Sequence, residues 1–123
     1  SDVWKVEDGE RVFVVKRSVS KLRVQAEWYS DPARLKCEYL YLQTVAGIVP
    51  GAVPNLLSSN PDAPYLAMEY LGEGYENWKT RLLRKDAREE DARRAGSILG
   101  KIHAATRADA VIAERFSRMD FFT

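Results

Sequence analysis

Hydrophobic and polar positions change period several times along this chain. Residues 3–7 and 11–17 alternate as short strands on either side of Asp8-Gly9, a dipeptide that favours a two-residue hairpin turn with both residues at positive φ. With that turn, Lys5 faces Val12, Val3 faces Val14, and residue 1 sits opposite Lys16. Val3, Val12, Val14 and Lys16 then share one sheet face, and Trp4, Val6, Phe13 and Val15 share the other. Both faces of the second strand are apolar, so the expectation is that both are covered. Lys16 stands out, because its same-face neighbours are valines and an ammonium there needs water or an anion.

Residues 18–30 fit either an alternating strand, through Leu22, Val24, Ala26 and Trp28, or a helical piece. Ser30-Asp31-Pro32 marks a helix start, with a capping residue and then proline at the first helical position. The helix is expected to reach about Ala46 and to end on Gly47 and Pro50. Leu35, Glu38, Tyr39, Leu42, Val45 and Ala46 fall within about a third of its circumference. Glu38 therefore lies inside an apolar arc, a second charged group that asks for a partner.

Two more strands are expected over residues 52–59 and 64–71, joined by Asn60-Pro61-Asp62. Leu66, Met68 and Tyr70 would share one face, with Tyr65, Ala67 and Glu69 on the other. Gly72-Glu73-Gly74 reads as a connector, followed by a short helix near residues 77–84. A longer helix is expected from a capping box of Asp86 with Glu89 to about Thr106. Its apolar stripe is Ile98, Leu99 and Ile102, while Ala92, Gly96, Gly100 and Ala104 predict a tight packing groove. Residues 107–123 read as a connector and the beginning of another helix. The whole is a mixed α+β pattern.

Composition narrows the classes. The 123 residues are 46% hydrophobic and 30% charged, as in an ordinary folded domain. Nineteen basic residues against eighteen acidic ones give +1, so no long-range field for nucleic acid or an anionic membrane is expected. The basic residues between Lys79 and Arg94 are interleaved with Asp86, Glu89, Glu90 and Asp91, the pattern of a solvated helix face. No apolar run approaches the roughly 18–20 residues that span a bilayer. The single cysteine, Cys37, excludes an internal disulfide, points to a reducing, cytoplasmic setting, and is read as structural. Trp4, Trp28, Trp78 and the tyrosines are read as core and interface residues. His103 is read as a packed or capping helix residue, and Asp120-Phe121-Phe122 is rejected as a metal-binding triplet.

Lys16 and Glu38 remain. The helix could bring them together as a structural ion pair, or Glu38 could aim Lys16 at a phosphate. Phe13-Val14-Val15-Lys16 resembles the lysine motif on the third strand of protein kinases, and Arg34-Leu35-Lys36-Cys37-Glu38 resembles the helix that supplies its glutamate. Leu66-Ala67-Met68-Glu69-Tyr70-Leu71, followed by Gly72, resembles the strand and hinge between kinase lobes. Leu99-Gly100-Lys101-Ile102-His103-Ala104 resembles the first helix of the larger lobe in small-molecule kinases. In this order the motifs make the chain similar to the amino lobe of the aminoglycoside phosphotransferase family, the protein-kinase-like enzymes that phosphorylate small molecules.

The resemblance implies a kinase-like small lobe over residues 1–71, an antiparallel sheet with one packed helix. Residues 72–123 become the hinge and first helices toward a carboxy-terminal lobe outside this chain. It also implies a nucleotide site made of Lys16, Glu38, Val3, Val14, Met68, Glu69, Tyr70 and Leu71. Lys16 would bind the α- and β-phosphates of ATP, and Glu38 would orient it. Val3 and Val14 would roof the adenine and Met68 would close the back of its pocket. The Glu69 carbonyl and the Leu71 N–H would bond the adenine edge.

The implied partners are ATP with Mg²⁺, a small-molecule hydroxyl acceptor and the second lobe, with no nucleic acid and no membrane. The phosphate-covering loop, expected before Val3, and the catalytic loop and metal-binding aspartate, expected after the long helix, are not found in these residues. The expectation is an amino-lobe piece of a longer enzyme, inactive alone. The rival expectations are a non-catalytic nucleotide-binding module and an interaction domain whose Lys16–Glu38 pair is structural.

Overall fold

The computed structural model describes residues 1–18, 21–22, 28–29 and 33–117. Strands β1 (Asp2–Asp8) and β2 (Arg11–Arg17) form the antiparallel hairpin. The turn is Gly9-Glu10, one residue later than the Asp8-Gly9 turn expected, and Asp8 pairs with Arg11 across it. Gly9 alone takes a left-handed φ, +61°, the sign pattern of a turn that wants glycine first and an ordinary residue second. The Arg11 guanidinium donates to the Asp8 carboxylate at 2.8 Å and Arg17 to Asp2 at 3.1 Å, pinning this frame at both ends. Pairing is therefore displaced by two residues: Lys16 lies opposite Val3, and Val14 opposite Lys5. A slip of two keeps every side chain on its expected face, whereas a slip of one would have inverted the sheet.

Strand β3 (Lys21–Leu22) pairs with β4 (Trp28–Tyr29), so these parts of the ambiguous stretch are extended. The proposed cap at Ser30-Asp31-Pro32 lies outside the described residues. Helix α1 (Arg34–Ile48) runs through Gly47 and stops two residues before Pro50, whose ring disfavours helical geometry in the residue ahead of it. The left-handed glycine is Gly51, at φ +84°, and not Gly47. The apolar arc is as expected: Leu35, Tyr39, Leu42 and Val45 are buried.

Strand β5 (Tyr65–Glu69) adds antiparallel to β2, giving the sheet order β1-β2-β5 with the lysine strand in the middle. The strand expected over residues 52–59 is reduced to a bridge between Leu56 and Met68. Pro54 has no N–H to give, and Ser58 Oγ takes the Ala67 N–H at 3.2 Å in place of a ladder carbonyl. Leu57 N–H to Ala67 C=O and Glu69 N–H to Asn55 C=O, both 2.9 Å, still seal that side of β5.

Leu66 of β5, 1% exposed, meets Leu35, Tyr39 and Leu42 of α1, with Leu40, Val53, Leu56 and Met68 around them. This core sits at the Lys16 end of one sheet face and covers only part of it: Val12 is 40% and Val3 60% exposed. The opposite face carries Trp4, Val6, Phe13 and Val15 as expected, but Trp4 is 44% exposed, with the Arg17 guanidinium 5.4 Å from its ring centre. The expectation of two covered faces is thus corrected, and so is the reading of Trp4 and Trp78 as core, since both are exposed.

Beyond the connector, α2 (Trp78–Leu83) starts at Asn77, whose side chain accepts from the Lys79 N–H at 2.9 Å. It ends in paired bonds, Lys85 N–H to Leu82 C=O and Asp86 N–H to Arg81 C=O, with Lys85 in the left-handed position usually given to glycine. Helix α3 (Glu89–Thr106) begins without the expected capping box, because the Asp86 carboxylate binds Arg88 with both oxygens at 3.1 Å. Helix α4 (Ala110–Arg115) is capped by Asp109. Helix α3 runs against α1, and Arg115 of α4 donates to Thr44 of α1 at 3.1 Å. The stripe of Gly96 and Gly100 faces open space, since a methyl group at either would meet nothing within 4 Å. The tight contact expected there is absent from the described residues.

Candidate functional site

Lys16 reaches the helix because β2 lies mid-sheet and α1 crosses the same face. Its Nζ lies 2.7 Å from Glu38 Oε1 and 2.6 Å from Oε2, joining residues 22 apart in sequence. The two side chains are 24% and 35% exposed, so the pair stands at the edge of the core, with its inner side dry and its outer side wet. Leu66, directly across from Lys16 on β5, is the apolar floor. An ammonium has three N–H donors. Two can serve the Glu38 oxygens, which leaves the third for water or an anion. The pair has no net charge, so it can orient a phosphate but cannot neutralise one.

The other expected residues extend from this point toward the hairpin turn. Val3 flanks Lys16, and Val14 is flanked by Lys5 on one side and Met68 on the other. Val3 and Val14 are therefore diagonal neighbours and not the directly opposed pair that the expected turn implied. Met68 packs at the edge of the core against Leu56. Glu69 is committed to Asn55: its carboxylate accepts from the Asn55 N–H at 2.8 Å and from the side-chain amide at 3.3 Å, and its own N–H donates to the Asn55 carbonyl. Its carbonyl is the group the kinase resemblance would use. Leu71, next to left-handed Gly72, is 41% exposed.

Tyr70 is more than a spacer. Its ring lies under Lys5, with Nζ 4.8 Å from the centroid, and its hydroxyl donates to Glu73 at 2.8 Å. Lys5 also pairs with Glu7 at 3.0 Å. The bond to Glu73 pushes the Tyr70 phenol above its ordinary range, and the bond to Glu7 raises the Lys5 ammonium. Sequence reasoning missed this cluster. The signal was available, since Lys5 and Glu7 alternate with Val3 on the same face of β1.

An open hollow of about 590 Å³ includes Arg11, Phe13, Ala67 and Glu69 in its lining. Val12, Leu57 and Tyr70 complete its lining, so the hollow takes in Glu69 and Tyr70 of the expected nucleotide site, while Lys16 and Glu38 do not line it. His103 is exposed in the last turn of α3 and is not packed. Cys37, the single cysteine of the chain, is half-buried. The Asp120-Phe121-Phe122 triplet lies outside the described residues. Among the described residues no group of three or more His, Cys, Asp or Glu side chains could hold a metal ion, so no Mg²⁺ ligand set is assigned to them. No helix among them is long and apolar enough to cross a membrane.

Comparison with models of known protein families and with curated proteins returns no match.

Proposed function

We propose that this chain is the nucleotide-binding lobe of a phosphotransferase that moves the γ-phosphate of ATP to a hydroxyl of a small molecule. The observation that carries the reading is the two-oxygen contact of Glu38 with Lys16 on a half-open sheet face. An exposed side lowers the desolvation cost of any ion pair, and it also leaves the ammonium open to a phosphate, as a phosphate-orienting lysine requires. The valine at position 14, the edge methionine at 68 and the connector after Leu71 support the same assignment, in the order that the resemblance to aminoglycoside phosphotransferases implies.

In this reading Lys16 donates its free N–H to the α- and β-phosphates, and Glu38 keeps the ammonium from swinging into water. Val3 and Val14 cover the base, and Met68 limits how deep it sits. The Glu69 carbonyl and the Leu71 N–H take its edge. In the reaction the acceptor oxygen forms a bond to the γ-phosphorus, and the bond from phosphorus to the β–γ bridging oxygen breaks to leave ADP. The hydroxyl proton goes to a base that the reading assigns to a second lobe, together with the ligands of Mg²⁺. The metal, when bound, would neutralise phosphate charge that the Lys16–Glu38 pair cannot. A reducing, cytoplasmic setting belongs to the same proposal.

Lys16→Met is the direct test, read as Mg·ATP affinity by calorimetry. Loss of a charge-assisted hydrogen bond should weaken binding by about tenfold to a hundredfold. Unchanged affinity would remove the phosphate role and leave the structural ion pair, a reading favoured by one observation, the contact of Lys16 with the buried Leu66 floor.

A further inference from the structure

We propose that Tyr70 is a clasp that fixes the connector Gly72-Glu73-Gly74 against the hairpin and so presets the main chain of residues 69–71. The connector has no strand or helix of its own, and Gly72 sits at φ +81°, a conformation with many neighbours of similar energy for glycine. Something must select one pose. Tyr70 touches both sides of the junction: its ring is held under the Lys5 ammonium of β1, and its hydroxyl binds Glu73 within the connector. Lys5 is itself anchored by Glu7, so ring, cation and two carboxylates form one chain from the hairpin to the connector. A tyrosine is suited to this position because the ring face attracts the cation while the hydroxyl, at the far end, donates to the carboxylate.

The assignment of residues 69–71 to an adenine edge rests on the function proposed above; the clasp itself does not. Tyr70→Phe keeps the ring under Lys5 and removes only the donor, and Glu73→Ala removes only the acceptor. Amide hydrogen exchange of residues 71–75 should quicken about fivefold in each variant, the effect of losing one hydrogen bond worth about 1 kcal/mol. The double variant should be no faster than either single one, because the two changes break the same contact. Exchange in α1 serves as the internal control and should not move.

Unchanged exchange at residues 71–75, or single effects that simply add, would overturn the clasp. Tyr70→Phe should also weaken Mg·ATP several-fold without lowering Tm. If it leaves ATP affinity intact while Lys16→Met lowers it, Tyr70 does not preset the adenine edge and that half of the inference falls. If Lys16→Met is silent as well, the failure belongs to the nucleotide reading, and the exchange data alone judge the clasp.

Discussion

At the scale of single residues, charge on an apolar face was the most legible signal in this chain. Lys16 and Glu38 each interrupt a run of valine or leucine positions, and each is costly to strand, so their meeting at 2.6–2.7 Å follows from the pattern itself. Lys5 interrupts the same face and was overlooked, because its expected opposite was Val12 and the register that puts it beside Val14 and over Tyr70 was not foreseen. The half-exposure of the pair sets what its loss should cost. Glu38→Ala leaves the ammonium against Leu66 with only part of its hydration, and should lower stability by about 1 kcal/mol after allowance for solvent screening. Lys16→Met strands the Glu38 carboxylate in turn, but that group is the more exposed of the two, 35% against 24%, and the methionine keeps the apolar packing, so the cost should be smaller. Urea titrations of the two variants check the order; equal losses would mean that the pair is solvated on both sides.

At the scale of elements, periodicity located β1, β2, β5 and α1; β2 takes the expected bounds, residues 11–17, and the ends of the others differ by one or two residues. The Asp8-Gly9 signal identified a hairpin, but the observed turn lies one residue later, a frame in which the ion pairs Asp8–Arg11 and Asp2–Arg17 form at the two ends of the strands. Residues 52–59 failed as a strand because a proline and a serine hydroxyl interrupt the ladder, although the outline of the strand survives in the bonds from Asn55 and Leu57. The glycines give an opposed pair of expectations. Gly9→Ala forces an L side chain into left-handed geometry and should destabilise the hairpin by about 1–2 kcal/mol. Gly96→Ala and Gly100→Ala sit in a helix interior with open space where the methyl would go, and each should stabilise by up to about 1 kcal/mol. Thermal unfolding followed by circular dichroism reads all three. A fall in Tm for the α3 variants would show that the small-residue stripe is covered in solution.

At the scale of the whole molecule, cohesion is unevenly distributed. All five buried hydrophobic residues among those described lie on α1 and β5, and none lies in α2, α3 or α4. Those helices are instead tied by charge. Arg81, 14% exposed, reaches Asp91 at 2.7 Å, Asp86 at 3.4 Å and Glu76 at 3.8 Å, linking the connector side, α2, the turn and α3. The turn that ends α2 builds this arrangement, because Asp86 N–H bonds the Arg81 carbonyl and sets the two side chains beside each other. Composition could not reveal it, since the same charges read equally well as a solvated face. The bond from Arg88, with Arg81 nearby, holds the Asp86 carboxyl below its ordinary range.

A carboxylate held low binds its proton more weakly in the folded than in the unfolded chain. The stability it contributes is therefore complete above the unfolded carboxylate range, near pH 4, and is lost as pH falls through the lower folded value. Acid should thus loosen the junction of α2 with α3 before it dissolves the apolar core of α1 and β5. Exchange-coupled mass spectrometry between pH 6 and pH 3, corrected for intrinsic rates, should find protection failing first over residues 76–94. In Asp86→Asn the amide cannot titrate, so that early loss should shrink while exchange in α1 stays unchanged. Simultaneous loss across both halves would mean that the core, and not the ionic knot, sets the acid limit of the fold. Selective loss would instead make the segment after the connector a separately releasable unit, hinged where Tyr70 and Glu73 meet.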